Sequence, residues 1–239
     1  MLAFQREEKL NAISTEVERA LVDALAGPEA KESRCVVFTG GERAFSAGAD
    51  LLEEREESPA GIEAYYRDTG DVYERIAALP QPTFSAISGW CLGAGFELAL
   101  ATDFRVADET AVFGLPEVEL GIVPSSGGTY RLVRALGPAR AKELMLLRPR
   151  VEAADAFRLG LVTELTPAGE ALPRALELAE QVAALPPLAA SAAKQAANAI
   201  AESSREAGIL LERLAYAALA QTEEAKTAGA AFSARKDPK

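Results

Sequence analysis

Glu97 and Glu117 are the residues of this chain whose type and setting suit proton chemistry. Glu97 lies in an apolar, helix-forming run, Phe96-Glu-Leu-Ala-Leu100, directly after Gly93-Ala94-Gly95. Glu117 follows Pro116 between two short apolar segments. The chain contains no histidine, so a general base must come from Asp, Glu, Lys, Tyr or Cys. Ser-His-Asp triads, Cys-His pairs and histidine-bearing zinc sites are excluded. Two carboxylates in apolar surroundings can act as an acid and a base once burial pushes up their affinity for protons. Glu97 can also be read as an exposed helical glutamate and Glu117 as a solvated loop residue. Asp103, Asp108 and Glu119 are nearby alternatives.

Chemistry at a carbonyl needs a partner for the developing negative charge. Gly93-Ala94-Gly95 opens a helix, where backbone N–H groups and the helix dipole favour anions. A second small-residue stretch, Ala47-Gly48-Ala49, follows an earlier strand. Each can be a plain packing feature. Together they could aim two N–H groups at one point, an oxyanion hole in which one donor contributes about 3 kcal/mol.

The elements that must position these loops alternate between helix and strand. Ser14 or Thr15 caps a first helix, with Thr15 and Glu18 fitting a capping box. Cys35–Thr39 reads as a buried strand, Gly61–Leu79 as one long amphipathic helix, and Thr83–Ile87 as the strand feeding Gly89–Gly95. The helix after it runs to about Ala101. Two short strands follow, Asp103–Ala107 and Ala111–Phe113. Ser126-Gly-Gly-Thr129 opens another helix, Gly137-Pro138 begins a further one, and Leu161–Leu165 is the last strand. Helices then cover about 168–185, 187–201, 206–221 and 223–233. This is an α/β pattern with a parallel sheet, divided into residues 1–165 with the site and a helical region 166–239 that needs a surface to pack on, its own core or another copy.

Composition narrows the partners. The net charge of −11 argues against nucleic acid or an anionic membrane surface. No apolar run reaches the length of a membrane span. Two cysteines without metal spacing fit a reduced, cytoplasmic setting. The acidic run 53–57 reads as a solvated flap, and Tyr65, Tyr66 and Tyr73 as core or interface.

An ordered set of segments resembles the enoyl-CoA hydratase/isomerase (crotonase) superfamily over nearly the whole chain. These are Glu8–Ile13, Val36–Gly40, Ala44–Leu51, Gly89–Leu100, Phe113–Glu117, Leu120–Pro124 and Gly127–Leu132. The resemblance implies a spiral of ββα turns with C-terminal helices that build a trimer, often a dimer of trimers. It implies an acyl-CoA thioester substrate in fatty-acid or related acyl-CoA degradation, with no metal or separate cofactor because CoA arrives in the substrate. By motif position the oxyanion hole falls on the N–H groups of Ala49 and Ala94, and the catalytic pair on Glu97 and Glu117. Substrate contacts fall on Lys9, Ala47, Gly48, Asp50, Leu51, Leu92, Gly93 and Pro116. Cations for the CoA phosphates would be Lys9, Arg43 and, from a neighbouring chain, Arg235 or Lys236. Trp90, Leu115 and Tyr130 are candidates for the acyl pocket. Ala94 replaces the middle glycine common in the family but keeps its N–H. The family's opening strand is mostly missing, and Gln5-Arg6-Glu7 stands where Asn-Arg-Pro is usual. Hydration of a 2-enoyl-CoA is the leading expectation. Isomerisation of a 3-enoyl-CoA, or a non-catalytic acyl-CoA-binding or RNA-binding relative, are the alternatives.

Overall fold

Each turn of the chain lays one strand into each of two sheets and then returns through a helix. The computed structural model describes residues 1–53 and 58–235, with side chains to residue 230. It opens with β1 (Leu2–Ala3) and a 3-10 turn, then α1 (Thr15–Ala26) and α2 (Pro28–Glu32). The first full turn is β2 (Val36–Thr39), β3 (Ala44–Ser46), α3 (Pro59–Tyr65) and α4 (Val72–Ala77). The second is β4 (Thr83–Ile87), β5 (Trp90–Leu92) and α5 (Ala94–Ala101). The third is β6 (Phe104–Asp108), β7 (Val112–Gly114), a 3-10 turn Pro116–Leu120 and α6 (Gly128–Leu146), which is broken at Gly137 (φ 77°, ψ 162°) just before Pro138. Then come β8 (Val151–Glu152), α7 (Ala153–Arg158), β9 (Glu164–Thr166), α8 (Ala171–Ala183), α9 (Pro187–Ile200), α10 (Arg205–Leu219) and α11 (Glu223–Arg235).

One sheet runs β1-β2-β4-β6-β9 and the other β3-β5-β7-β8. All pairings are parallel except β7 with β8. This is a crotonase-like α/β spiral with C-terminal helices. The main core, built around Phe38, Phe45, Ile87, Phe96, Leu98 and Phe113, fills the space between the sheets and α1, α4, α5 and α6. A smaller cluster joins Val37, Phe84, Ala86 and Val106 of the first sheet to Ala175 and Ala179 of α8. By contrast α9 has no buried residue and α10 buries only Gly208, and these two helices pack mainly on each other.

Several sequence expectations change. The strands of the second sheet are not foreseen as a set, because β3 and β5 are only three residues long and run directly into glycine-containing loops. The expected helix over 61–79 is broken by a π-helical turn at Tyr66–Gly70. Glycine there weakens the helix, and the Tyr65 ring occupies the space a side chain at Gly70 would need. The last strand begins at Glu164, not Leu161: Leu161 and Val162 are buried by packing in the turn before it. Ser14, not Thr15, caps α1, its Oγ accepting from Val17 N. Glu18 is therefore not a capping-box residue. It is buried and accepts from the hydroxyls of Tyr65 (2.6 Å), Thr69 (3.2 Å) and Tyr73 (3.2 Å). A two-residue opening strand is present, and it pairs with β2. Apart from Glu53, the acidic run 53–57 lies outside the described residues, as do Lys236 and the Arg235 side chain.

Candidate active site

The site forms where the carboxyl ends of β3 and β5 meet, because parallel strands deliver their following loops to one edge. After β3 the chain turns through Ala47-Gly48-Ala49. After β5 it turns through Gly93, whose φ of 49° is left-handed backbone suited to glycine. The turns abut: a Cβ on Gly93 would sit 3.6 Å from the Gly48 Cα and 3.2 Å from a Glu117 carboxylate oxygen. Gly48, Gly93 and Glu117 therefore meet at one place.

Ala94 is the first residue of α5, so its N–H has no intrahelical acceptor. Ala49 is exposed, and no described residue accepts from its N–H. The loop carrying it is pinned on both sides, with Ile13 N donating to Gly48 O and Asp50 N donating to Ile13 O, both at 2.8 Å. The Asp50 carboxylate holds this loop against the N-terminal segment through Arg6 and Lys9, each at 3.0 Å. The Lys9 ammonium, with the Arg6 guanidinium after it, keeps Asp50 below the usual carboxylate range. Lys9 and Asp50 thus bind each other across the loop. Ala47 N donates to Leu10 O.

Glu97 is 3% exposed. One of its oxygens accepts from Ser126 N at 2.8 Å and Gly128 N at 2.9 Å. Burial raises its proton affinity, these two N–H bonds and the Arg131 charge oppose the rise, and Glu18 adds to it. A Cβ on Gly128 would lie 2.7 Å from Glu97 Cγ, so this approach requires glycine. Glu117 sits in the 3-10 turn after Pro116, half-buried. Its second oxygen is enclosed without a hydrogen-bond partner. Burial, with the Glu97 charge behind it, pushes Glu117 up to about 7.

The alternative carboxylates have structural partners instead. Asp103 accepts from Thr83 N and Oγ1 and pairs with Lys194. Asp108 accepts from Ser88, Thr110 and Gly169. Glu119 is exposed opposite Arg150. Leu115 is buried in the core and Trp90 is partly exposed on β5. Tyr130 bonds Glu202 and lines a cavity of about 810 Å³ between α5, α6, α8 and α9, whose lining includes neither Glu97 nor Glu117. Around the site itself, Leu51, Leu52, Val118, Leu120, Ile122 and Val123 expose apolar side chains. Sequence reasoning noticed Ser126-Gly-Gly only as a helix start. Nothing in one sequence linked it to Glu97, twenty-nine residues before it.

The stacked ββα turns bring the two glycine loops together beside Glu117, with the buried Glu97 close enough for its charge to act on that carboxyl. The chain belongs to the enoyl-CoA hydratase/isomerase family, whose profile matches residues 1–239. It is 39% identical over 241 residues to the 2,3-dehydroadipyl-CoA hydratase of Escherichia coli (strain K12), covering 100% of this chain and 93% of that protein. It is 37% identical over 237 residues to a protein of Rhizobium meliloti (strain 1021) named "Probable enoyl-CoA hydratase", covering 99% and 91%. The crystal structure of an enoyl-CoA hydratase from Bacillus anthracis superposes with a TM-score of 0.90 at 35% identity, covering 99% of this chain and 93% of that one. No described helix is long and apolar enough to cross a membrane. Among the described residues, no three His, Cys, Asp or Glu side chains gather as a metal ion would require.

Proposed function

We propose that this protein is an enoyl-CoA hydratase, adding water syn across the double bond of a 2-enoyl-CoA to give the 3-hydroxyacyl-CoA. The observation that carries this reading is the contrast within the carboxyl pair. Glu97 is held by two N–H donors that favour its ionised form, whereas Glu117 has a buried, unpartnered oxygen and holds its proton to about pH 7. In this mechanism both carboxyls grip one water. Glu97 draws a proton from it as the water oxygen bonds to C3, and Glu117 delivers a proton to C2. Glu97 ends protonated and Glu117 ionised; return of that proton from Glu97 to Glu117 restores the pair, so the product carries the elements of one water overall. As C3 is attacked, charge develops on the thioester oxygen, which the Ala49 and Ala94 N–H groups receive at the start of α5. The chemistry calls for no metal or redox group, since CoA is part of the substrate. Catalysis needs Glu97 ionised and Glu117 protonated, so the rate falls on both sides of a bell-shaped pH profile.

The same reading assigns the exposed apolar side chains at Leu51, Leu52 and Val118–Val123 to the acyl chain or to a covering element. It assigns the exposed Leu188, Leu210, Leu214 and Tyr216 of α9 and α10 to contacts between copies, in a homotrimer or a dimer of trimers. Gly48, Gly93, Leu92 and Pro116 form the walls against which the thioester lies.

The deciding experiment is hydration of crotonyl-CoA, followed by loss of absorbance of the conjugated thioester. Rapid loss is expected. No loss, together with turnover of a 3-enoyl-CoA to its conjugated isomer, would replace hydration by isomerisation, with Glu117 as a single proton shuttle. Binding of acyl-CoA without either reaction would leave a non-catalytic binder.

A further inference from the structure

The two N–H groups that hold Glu97 belong to the turn Ser126-Gly127-Gly128, and that turn is clasped from its other side. Gly127 has a φ of 90°, left-handed backbone. The guanidinium of Arg131, one turn into α6, lies so close that a Cβ on Gly127 would fall 2.2 Å from Nη1. Arg131 Nη1 donates to the Ser126 carbonyl at 2.9 Å. Its Nη2 donates to the Tyr73 carbonyl at 3.4 Å and to the Glu74 carboxylate at 2.6 Å, both on α4. The Arg131 side chain is 11% exposed. The planar fork thus joins three acceptors that a lysine ammonium could not span together.

We propose that Arg131 is a positioning residue for Glu97: it fixes the Ser126–Gly128 turn to α4, so that both N–H groups stay aimed at one carboxylate oxygen. This deepens the hydratase reading and rests on it for the role of Glu97. The ion pair with Glu74 is not what matters, because Glu74 is largely exposed and such pairs contribute little. The charged and titratable groups around Glu97 are Glu18 of α1, Tyr73 of α4, Glu117 of the 3-10 turn and Arg131. Arg131 is the cation among them. Removing it takes away a charge that favours ionised Glu97 and loosens two donors that do the same, so Glu97 should protonate at higher pH.

The test titrates the backbone 15N–H signals of Ser126 and Gly128, which report the Glu97 carboxylate, in the wild type and in Arg131→Gln, Arg131→Lys and Glu74→Ala. Crotonyl-CoA kinetics are run in parallel. In Arg131→Gln the midpoint moves up by about one pH unit. The acidic limb of its rate profile moves with it, and kcat falls about tenfold while KM changes less than about twofold. Glu74→Ala keeps the wild-type midpoint. Arg131→Lys keeps the wild-type midpoint but exchanges the Ser126 and Gly128 amides with deuterium faster than wild type. If Arg131→Gln does not fold, this faster exchange carries the test. An unmoved midpoint in Arg131→Gln, or wild-type amide protection in Arg131→Lys, would overturn the proposal. A wild type that turns over no enoyl-CoA would defeat the hydratase reading alone, since the amide titration judges Arg131 without any substrate.

Discussion

Glu97 and Glu117 are the same residue type and lie close together, but the fold gives their carboxyls different hydrogen-bond surroundings. Glu97 lies inside a helix whose residues from Gly95 to Ala101 are all buried. Glu117 lies in a short 3-10 turn with no buried residue, and Val118, Leu120 and Ile122 just beyond it are exposed. Burial raises both carboxyls. Glu97 receives two compensating donors from a turn about thirty residues further along the chain, whereas Glu117 has only its own backbone N–H to oppose the rise. Burial alone therefore does not set a protonation state; the difference comes from which backbone N–H groups the fold aims at each carboxyl.

The comparison is broken most severely by removing either carboxyl while keeping its shape. Glu117→Gln and Glu97→Gln should each lower kcat about a thousandfold, the loss expected of a positioned acid or base. A glutamine at 97 still offers an oxygen to Ser126 N and Gly128 N, so circular dichroism should show a folded protein. Steady-state kinetics with either variant near the wild-type rate would remove that residue from the proton traffic. A smaller effect comes from disturbing the support rather than the carboxyl. In Gly128→Ala the new Cβ would meet Glu97 Cγ at 2.7 Å and a carboxylate oxygen at 2.8 Å. The carboxylate must shift, and kcat should fall about a hundredfold. An alanine variant with unchanged kcat would show that Glu97 tolerates displacement and that its two N–H bonds are not what makes it different from Glu117.

Much of this arrangement was legible in the sequence. Ser14, Pro80, Gly137-Pro138 and Pro186-Pro187 mark helix boundaries through capping and ring constraints that act locally. The alanine- and leucine-rich periodicity of the C-terminal helices gives their ends to within a few residues of those observed. Continuous apolar runs gave β2 and β4, which are buried throughout. What stayed hidden depends on contacts between distant segments. Of the second sheet only β7 reads as a strand in the sequence, Ala111–Phe113 against the observed Val112–Gly114, while β3, β5 and β8 are too short to carry a period. Glu18 satisfied a local capping pattern, yet three hydroxyls from the following helical segment draw it into the core. The Gly93 and Gly128 positions were visible as glycines, but the side chain that each must accommodate lies elsewhere in the sequence, Glu117 for one and Glu97 for the other. Residue type and setting pointed to Glu97 and Glu117, and the family resemblance paired them; Ser126, Gly128 and Arg131 needed coordinates.

The smallest expected effect separates the two carboxyls by stability rather than by rate. Glu117 in the folded protein holds its proton to about 7, against 4.5 for an ordinary glutamate. As pH rises through this window the unfolded chain releases its proton first, while the folded protein still carries it. The folded state then binds more protons, so stability falls as pH rises from about 4.5 to about 7 and levels off above. Glu117→Gln removes this dependence without adding a charge. Its melting temperature should exceed that of the wild type at pH 8 by about 3 °C, since Glu117 is only half-buried and solvent screens part of the effect. The gap should close toward pH 4.5, where both states of the wild type are protonated. Glu97 is present in both proteins, and loss of its repulsion with ionised Glu117 is part of the gap at pH 8. A gap that persists at pH 4.5 would locate the gain in packing at position 117. A gap absent at pH 8 would mean that Glu117 ionises like a surface glutamate, and the contrast with Glu97 would then lie in geometry alone.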